Sequence, residues 1–410
     1  MRLFEEAHAV IGASYGDEGK GSVTYALADP DCTVIKHNGG AQAGHTIGHD
    51  GQRFVHSQLG SGTARGALTY LAQTYLVNPP LLLEEMKSFY EIFTLMPMVV
   101  ISPHCQVVTG IDMLVNQVLE TNRGGKRHGS CGHGINETVT RNLAGFELTM
   151  YDFLCEGSIS SVRDFMTRMI TTYYVPRLLS YKIDPETVKA FVKMAEALVE
   201  PECEKTKVLI EHPSISFSVL PNPNNRAVFE GGQGLGLDEN NSKNFPYVTR
   251  SKTGVWNPTM LAQVYGVDNI EAHYVTRPYV TRHGPGPLEN EQDIEDREVF
   301  IPHFSDETNV HNEWQGEFRT AFFQEDVLKR MASDYGPASG ITVKKNIALT
   351  CLDHVDEFVI RGDDDEDTLF TNDVAGLMEY MNDYVECSDH FSDVMAVEHG
   401  KIMEKSDIDE

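Results

Sequence analysis

Residues 7–21 read AHAVIGASYGDEGKG, and the residues that follow, SVTYALA at 22–28, complete the unit whose reading decides the fold. Ala7 to Ala13 is a short run of small and branched apolar side chains, the pattern of a strand buried on both faces. Ser22 to Ala28 starts a helix, and the glycine-rich SYGDEGKG lies between the two. Strand, glycine turn and helix is the layout that cradles phosphates on backbone N–H groups and a helix N-terminus. Lys20 adds a point charge for phosphate oxygens. The common P-loop spacing G-x-x-x-x-G-K-[ST] does not fit, because Ser14 stands where its first glycine should be and Gly21 follows the lysine. Asp17 and Glu18 set this loop apart. A carboxylate beside a polyphosphate is repelled unless it binds a divalent metal or moves a proton, so Asp17 is a candidate general base or Mg²⁺ ligand. The same Gly-Asp-Glu-Gly composition also suits a plain surface turn.

Working outward, Thr33 to Lys36 reads as a second strand that enters HNGGAQAGHT at 37–46. His45 sits there among residues small enough to let backbone approach a ligand, and histidine can donate to a developing oxyanion or pass a proton near neutral pH. Two glycine-rich loops so close in sequence, one with an acid and a lysine and one with a histidine, point to one site. Helices are expected at Pro80–Phe93, Ile111–Glu120 and Pro185–Val199, and Arg226–Glu230 reads as a strand entering the loop GGQGLGLD. The alternation predicts an α/β fold: one large domain over residues 1–410, built around a mostly parallel central sheet with glycine-rich phosphate-binding loops at its edge. An acidic, divergent C-terminal segment occupies about 356–410.

Composition sets limits. Lys+Arg 33 against Asp+Glu 61 gives a net charge of −28, which excludes broad binding of nucleic acid or an anionic membrane surface. From Asp353 to Glu410 the chain carries 19 acidic and 3 basic side chains, so that 3 − 19 = −16 of the excess lies there. DDDED at 363–367 reads as a solvated loop. There is no apolar run long enough to span a membrane, and MRLFEEAHAVIGAS lacks the marks of a secretory signal. Seven scattered cysteines without C-x-x-C spacing suit reduced thiols in a cytoplasmic setting. His37, His49 and His56 near His45 fit no common metal spacing.

These residues resemble the adenylosuccinate synthetase family. Its G-D-E-G-K-G hallmark stands intact at Gly16–Gly21, and its G-G-x-N-A-G-H-T loop appears as GGAQAGHT with Gln42 for asparagine. FVHSQLGSG at 54–62, LVNPPLLLEEMKSF at 76–89, VFEGGQGLGLD at 228–238, FPYVTRS at 245–251, YVTRHGPGPLENE at 279–291 and LTCLD at 349–353 are similar to further family motifs, in family order.

The resemblance implies a Mg²⁺-dependent ligase that joins L-aspartate to C6 of a purine nucleoside monophosphate through a 6-phosphoryl intermediate, using a nucleoside triphosphate, usually GTP. IMP, converted to adenylosuccinate, is the favoured acceptor. By the same resemblance Asp17 is base and metal ligand, His45 the acid at the transferring phosphoryl, Lys20 a phosphate contact and the Gly44 carbonyl part of the metal site. Gly16, Glu18, Gly19, Gly21 and Thr46 join the triphosphate site. Gln42, Gln233, Thr249, Ser130 and Cys131 match positions around the purine nucleotide. Arg141 matches an arginine that reaches a partner subunit's nucleotide, which implies a homodimer, and Asp353 matches the carboxylate that reads guanine.

Departures bear on the substrates. The family's arginine-rich aspartate loop corresponds to TNVHNEWQGEFRTAFF at 308–323, which leaves Asn312, Gln315 and Arg319 to hold the amino acid. Arg250 replaces a serine beside the phosphate site, Cys351 replaces the lysine before Asp353, and MAVEHGKIM at 395–403 shows no clear counterpart of the family's guanine-holding I-S-x-G-P. ATP or dATP therefore stands beside GTP as donor. Viral relatives act on dGMP and are expected to carry serine where this chain keeps Asp17; dGMP remains the alternative acceptor. A non-catalytic nucleotide sensor on the same fold is the alternative of another class.

Overall fold

The strand Glu6–Gly12 is buried from Ala7 onward except at His8, as its apolar run requires. In the computed structural model, which describes residues 2–155, 157–291, 301, 314–361, 367–371 and 373–403, it lies near the middle of a ten-stranded sheet. The spatial order is Lys401–Ile402, Asp393–Glu398, Thr342–Thr350, Asn269–Thr276, Glu6–Gly12, Arg226–Gly234, Cys32–Lys36, Leu68–Leu71, Val99–Ile101, Ile215–Phe217. Every neighbouring pair is parallel except the last-added strand Lys401–Ile402, which is antiparallel. The expected α/β architecture is therefore the observed one. In a parallel sheet the strand C-termini share one edge, and ligands gather there.

The helices follow their caps. Asn78 accepts from the Leu81 N–H at 3.1 Å to start Pro79–Phe93, and Thr109 and Asp112 form a reciprocal capping box on Gly110–Arg123. Two boundaries differ from expectation by four residues or more. The helix from Pro185 was expected to end at Val199, before Pro201, but it runs to Ile210. Val199, Cys203 and Leu209 are buried in the helical core, and that packing outweighs the missing proline N–H. The Arg226 strand continues through the glycines to Gly234. Val10 pairs with Glu230 and Gly12 with Gly234, so this strand takes two more residues than its partner over the span. Such a bulge re-aims side chains, here around Gln233.

A second sheet, ordered Tyr279–His283, Phe318–Gln324, Phe358–Arg361, Asp367–Thr371, stands beside the first. The acidic C-terminal region contributes two of its strands, then the helix Val374–Cys387, and then Asp393–Glu398, which pairs with Thr342–Thr350 inside the main sheet. Most of DDDED falls outside the described residues. No helix among the described residues is long and apolar enough to cross a membrane.

Arg141 has a place that its expected role does not fit. Its guanidinium is fully buried, with Nε 3.1 Å from Asp112 Oδ1, Nη2 3.1 Å from Asp112 Oδ2 and 2.8 Å from the Val107 carbonyl. Tyr174 donates to the same carboxylate at 2.7 Å. A side chain so enclosed cannot reach a partner's nucleotide; it closes a buried ion pair. Arg141→Leu should cost about 3–5 kcal/mol by stranding Asp112, read as a lower urea midpoint, and Arg141→Leu/Asp112→Leu should recover part of the loss.

Candidate active site

The loop after Glu6–Gly12 is organised from beneath by Glu18. Its Oε1 accepts from the N–H of Ser14 at 3.0 Å and of Gly16 at 2.8 Å, and its Oε2 lies 2.7 Å from Lys20 Nζ. Burial alone would raise the pKa of Glu18, but the Lys20 ammonium and the Gly16 N–H hold it below the usual carboxylate range. This pair packs on Gly12, where a Cβ would sit 2.5 Å from Glu18 Oε2. Glu18 is thus a loop organiser, inside the fold and away from the cavity wall.

Asp17 takes a left-handed φ of 63°, a conformation that aspartate tolerates better than most residues. The loop is fixed at its carbonyls: Arg277 Nε donates to Asp17 O at 2.6 Å, Thr281 Oγ1 to Gly16 O at 2.8 Å and Thr350 Oγ1 to Glu18 O at 2.6 Å. The Asp17 carboxylate is 3.7 Å from His283 Nε2. Burial raises its pKa, against the opposing pull of His283 and Arg277. A carboxylate with a raised pKa is a stronger base than free aspartate.

His45 opens the hairpin His45–His49/Gln52–His56. Its Nδ1 bonds Glu230 Oε1, while Nε2 is buried with no partner among the described residues. Glu230 also accepts from the Ser61 N–H at 3.0 Å and the Ser61 hydroxyl, and Lys36 Nζ lies 3.5 Å from it. Burial would raise the pKa of Glu230, but Lys36 and His45 hold it well below the carboxylate range. His45 itself is pushed down by burial and by Lys36, against the pull of Glu230. In this state Nδ1–H faces the carboxylate and Nε2 carries a lone pair toward the cavity; anionic phosphates arriving there favour its protonation.

Gln42 and Gln233 meet above Gly39. A Cβ on Gly39 would lie 2.7 Å from Gln233 Oε1 and 3.0 Å from Gln42 Nε2 and would push the amides aside, and the φ of 67° at this residue favours glycine as well. All four of their polar side-chain atoms are buried without a hydrogen-bond partner among the described residues. Buried amides without partners are costly, and this arrangement suits a polar ligand edge.

A cavity of about 1170 Å³ joins these groups. Gly16, Asp17, Gly19, Lys20 and Gly21 form one wall, Gln42, Gly44, His45 and Thr46 another, and Ser130, Cys131, Gln233, Thr249, Arg250 and Gln315 also face it. Burial pushes the Cys131 thiol up to about 11, which keeps it neutral. Arg319 does not line this cavity: it spans both carboxylate oxygens of Glu291 at 2.6 Å and the carbonyls of Gly284 and Gly286 at 2.7 and 3.0 Å. Its donors are spent on pinning that loop, a placement at odds with the expected hold on an amino-acid substrate. Asn312 lies outside the described residues. Asp353 is also off the cavity lining, but Cys351, His354 and His399 reach it, and His399 Nε2 stands 3.8 Å from Asp353 Oδ2. The turn at His399–Gly400, without a clear counterpart in sequence, thus comes to rest beside the expected base-reading carboxylate. A smaller pocket of about 530 Å³, lined by Tyr25, His49, Arg53 and His399 among others, adjoins it.

The family model for adenylosuccinate synthetase matches residues 9–358. The chain belongs to the adenylosuccinate synthetase family. It is 28% identical to the adenylosuccinate synthetase of Pseudomonas fluorescens strain SBW25 over 355 residues, 84% of this chain and 78% of that protein. It is 27% identical to that of Nitrosococcus oceani over 292 residues, 69% and 65% of the two chains. Among solved structures it is similar to the fully ligated synthetase of Plasmodium falciparum, with TM-score 0.61, 18% identity, and 87% and 80% of the chains covered. It is also similar to the succinoaminodeoxyadenylate synthetase of cyanophage S-2L bound to dGMP and dATP, with TM-score 0.55, 14% identity, and 98% and 95% covered. The family is one of carbon–nitrogen ligases that bind nucleotides and aspartate.

Sequence reading assigned no role to Glu230, Arg277 or His283 in this synthetase. Glu230 carried a usable mark, a charge inside an otherwise apolar central strand, which must find partners. Glu230→Gln should lower kcat at least about 100-fold while KM for both nucleotides stays within a few-fold, as steady-state kinetics would read.

Proposed function

We propose that this synthetase joins L-aspartate to C6 of IMP, giving adenylosuccinate while a nucleoside triphosphate is converted to the diphosphate and phosphate. The observation that carries the reading is the unpartnered Gln42–Gln233 pair, which shares a cavity with the Asp17 carboxylate and the His45–Glu230 dyad. A 6-oxopurine offers a polar edge to the amides and an acidic N1–H to Asp17.

In this reading Asp17 takes the N1 proton, and the O6 oxyanion so formed attacks the γ-phosphorus. The diphosphate leaves as charge builds beside His45 Nε2 and the loop amides. The aspartate amine then adds at C6, phosphate departs, and the amine proton is released. Glu230 keeps Nδ1 of His45 protonated and its ring oriented, so that Nε2 faces the phosphates. Thr249 and Arg250 line the same wall; Arg250 is exposed and suits the nucleotide 5′-phosphate. Mg²⁺ fits the donors present, since the Asp17 carboxylate and the Gly44 carbonyl are hard oxygens on one cavity and this ion completes its shell with phosphates and water. When bound, it would withdraw charge from the transferring phosphoryl oxygens. Of the two expected amino-acid contacts among the described residues, Gln315 faces the cavity and Arg319 does not.

A second reading takes dGMP as acceptor. It is supported by His283, 3.7 Å from Asp17, since a ring that presents N1 to Asp17 brings its adjoining 2-substituent toward that side. It is supported too by the near-full span shared with the phage enzyme described as bound to dGMP and dATP. Phosphate release measured over IMP, GMP, dGMP and dIMP against GTP, ATP and dATP, with aspartate and Mg²⁺, separates the two. Turnover should be highest with IMP; no release with any pair would remove the ligase reading and leave a nucleotide sensor.

Asp17→Asn should lower turnover at least about 1000-fold. The pKa of Asp17 is raised on folding, so its ionisation costs stability at neutral pH, and the cost disappears as pH falls below its ordinary range. The asparagine variant should therefore match or exceed the parent in Tm at pH 7. For the same reason the acid limb of kcat/KM in the parent should fall at a pH above the ordinary aspartate pKa of about 3.9.

A further inference from the structure

On the strands Glu6–Gly12 and Asn269–Thr276, His8 pairs in register with Glu271 and Val10 with His273, so His8, Glu271 and His273 share one face of the main sheet. His8 Nδ1 and His273 Nε2 face each other at 3.0 Å, and Glu271 Oε2 lies 4.0 Å from His8 Nδ1. Among the described residues this is the group of His, Cys, Asp or Glu side chains whose ligand atoms all fall within 4.8 Å of one another. None of the three lines the cavity that holds Asp17 and His45.

We infer that His8, His273 and Glu271 form a Zn²⁺ site that fastens the two central strands together. Two imidazoles and one carboxylate without thiolate are a common zinc donor set, and three protein ligands leave a fourth position. Tetrahedral zinc with Zn–N distances of about 2.0–2.1 Å places its nitrogens about 3.3 Å apart, so the two nitrogens must separate by a few tenths of an ångström and the rings must turn until both lone pairs meet at the ion. The ion would take the place of the proton now shared between the facing nitrogens, which moves to the remote nitrogen of the donating ring, so that both rings stay neutral and no proton is released. Burial favours the neutral, ligating form of both rings.

The surroundings supply a fourth donor. The next strand, Thr342–Thr350, sets Asn346 opposite His273, and Asn346 Oδ1 is buried with no partner among the described residues. His273 Nδ1 is likewise buried and unpartnered there. Two cations stand nearby and set the balance: Lys344 is 3.8 Å from the other Glu271 oxygen, and Arg226 holds Glu6 at 3.0 Å. Glu271 Oε2 is therefore free to turn inward while Oε1 stays with Lys344. The strands so joined lead directly to the Asp17 loop and to Arg277, which donates to the Asp17 carbonyl.

Chain stripped with EDTA and titrated with Co²⁺ or Zn²⁺ in excess Mg²⁺ tests this assignment. One equivalent of Co²⁺ should give a tetrahedral visible band that Zn²⁺ abolishes, and Zn²⁺ should raise Tm. His8→Asn and Glu271→Gln, both at partly exposed positions, should each weaken Zn²⁺ binding at least about tenfold and remove the rise in Tm. Absence of the band in the parent, or equal affinity in parent and both variants, overturns the site and leaves a hydrogen-bonded histidine pair. Phosphate release by the zinc-free parent in Mg²⁺, with IMP, aspartate and a nucleoside triphosphate, is a separate readout of the ligase reading.

Discussion

A buried carboxylate in the central strand, Glu230, is the constraint on which the site depends. It lies between Glu6–Gly12 and Cys32–Lys36, wholly removed from solvent, and removal of a carboxylate from water costs several kcal/mol unless cations and donors surround it. Lys36 comes from the adjacent strand, where it is paired in register with Glu230 itself. His45 comes from the hairpin that follows, and Ser61 from the loop beyond. A shift of one residue in that register would turn Lys36 to the other face and strand the charge. The same carboxylate that fixes the sheet pairing therefore fixes the orientation of the His45 ring.

Glu18 repeats this arrangement on a smaller scale. Its contacts with two backbone N–H groups and Lys20 stiffen a loop rich in glycine, which leaves Asp17 outward with its raised pKa. Adjacent acids thus meet opposite environments: Glu18 is held below the usual carboxylate range by its buried partners, and Asp17 is raised above it and faces the cavity. Charge type in the sequence does not separate them. Which carboxylate points into the fold does, and the backbone turn at Asp17 sets that.

The acidity of the chain has a similar division. A net charge of −28 rules out broad polyanion binding, yet the cavity wall carries Lys20, Arg53, Arg123, Arg177, Arg250 and Arg282. Of these, Lys20, Arg123 and Arg177 are each paired with a glutamate, Glu18, Glu120 and Glu137, while Arg141 and Arg319, which the motifs suggested for this purpose, are occupied by Asp112 and Glu291 and lie off the wall. Local motif order marks an arginine as present. It does not say whether the guanidinium faces a ligand or a neighbouring carboxylate.

The sequence by itself determined the parallel α/β fold and the phosphate-type loop, because buried apolar strands and glycine turns at short range have few ways to pack, and its resemblance to a family implied that Asp17, His45 and Gln233 share one site. The tertiary structure alone decided the partners of charge. Glu230 with His45, His283 with Asp17, and the His399 turn beside Asp353 join residues 46 to 266 positions apart. Strand register and the bulge before Gly234 bring them together, and neither is written in local spacing. The extension of the helix past Pro201 has the same cause: burial of one apolar face outweighed the local signal to stop.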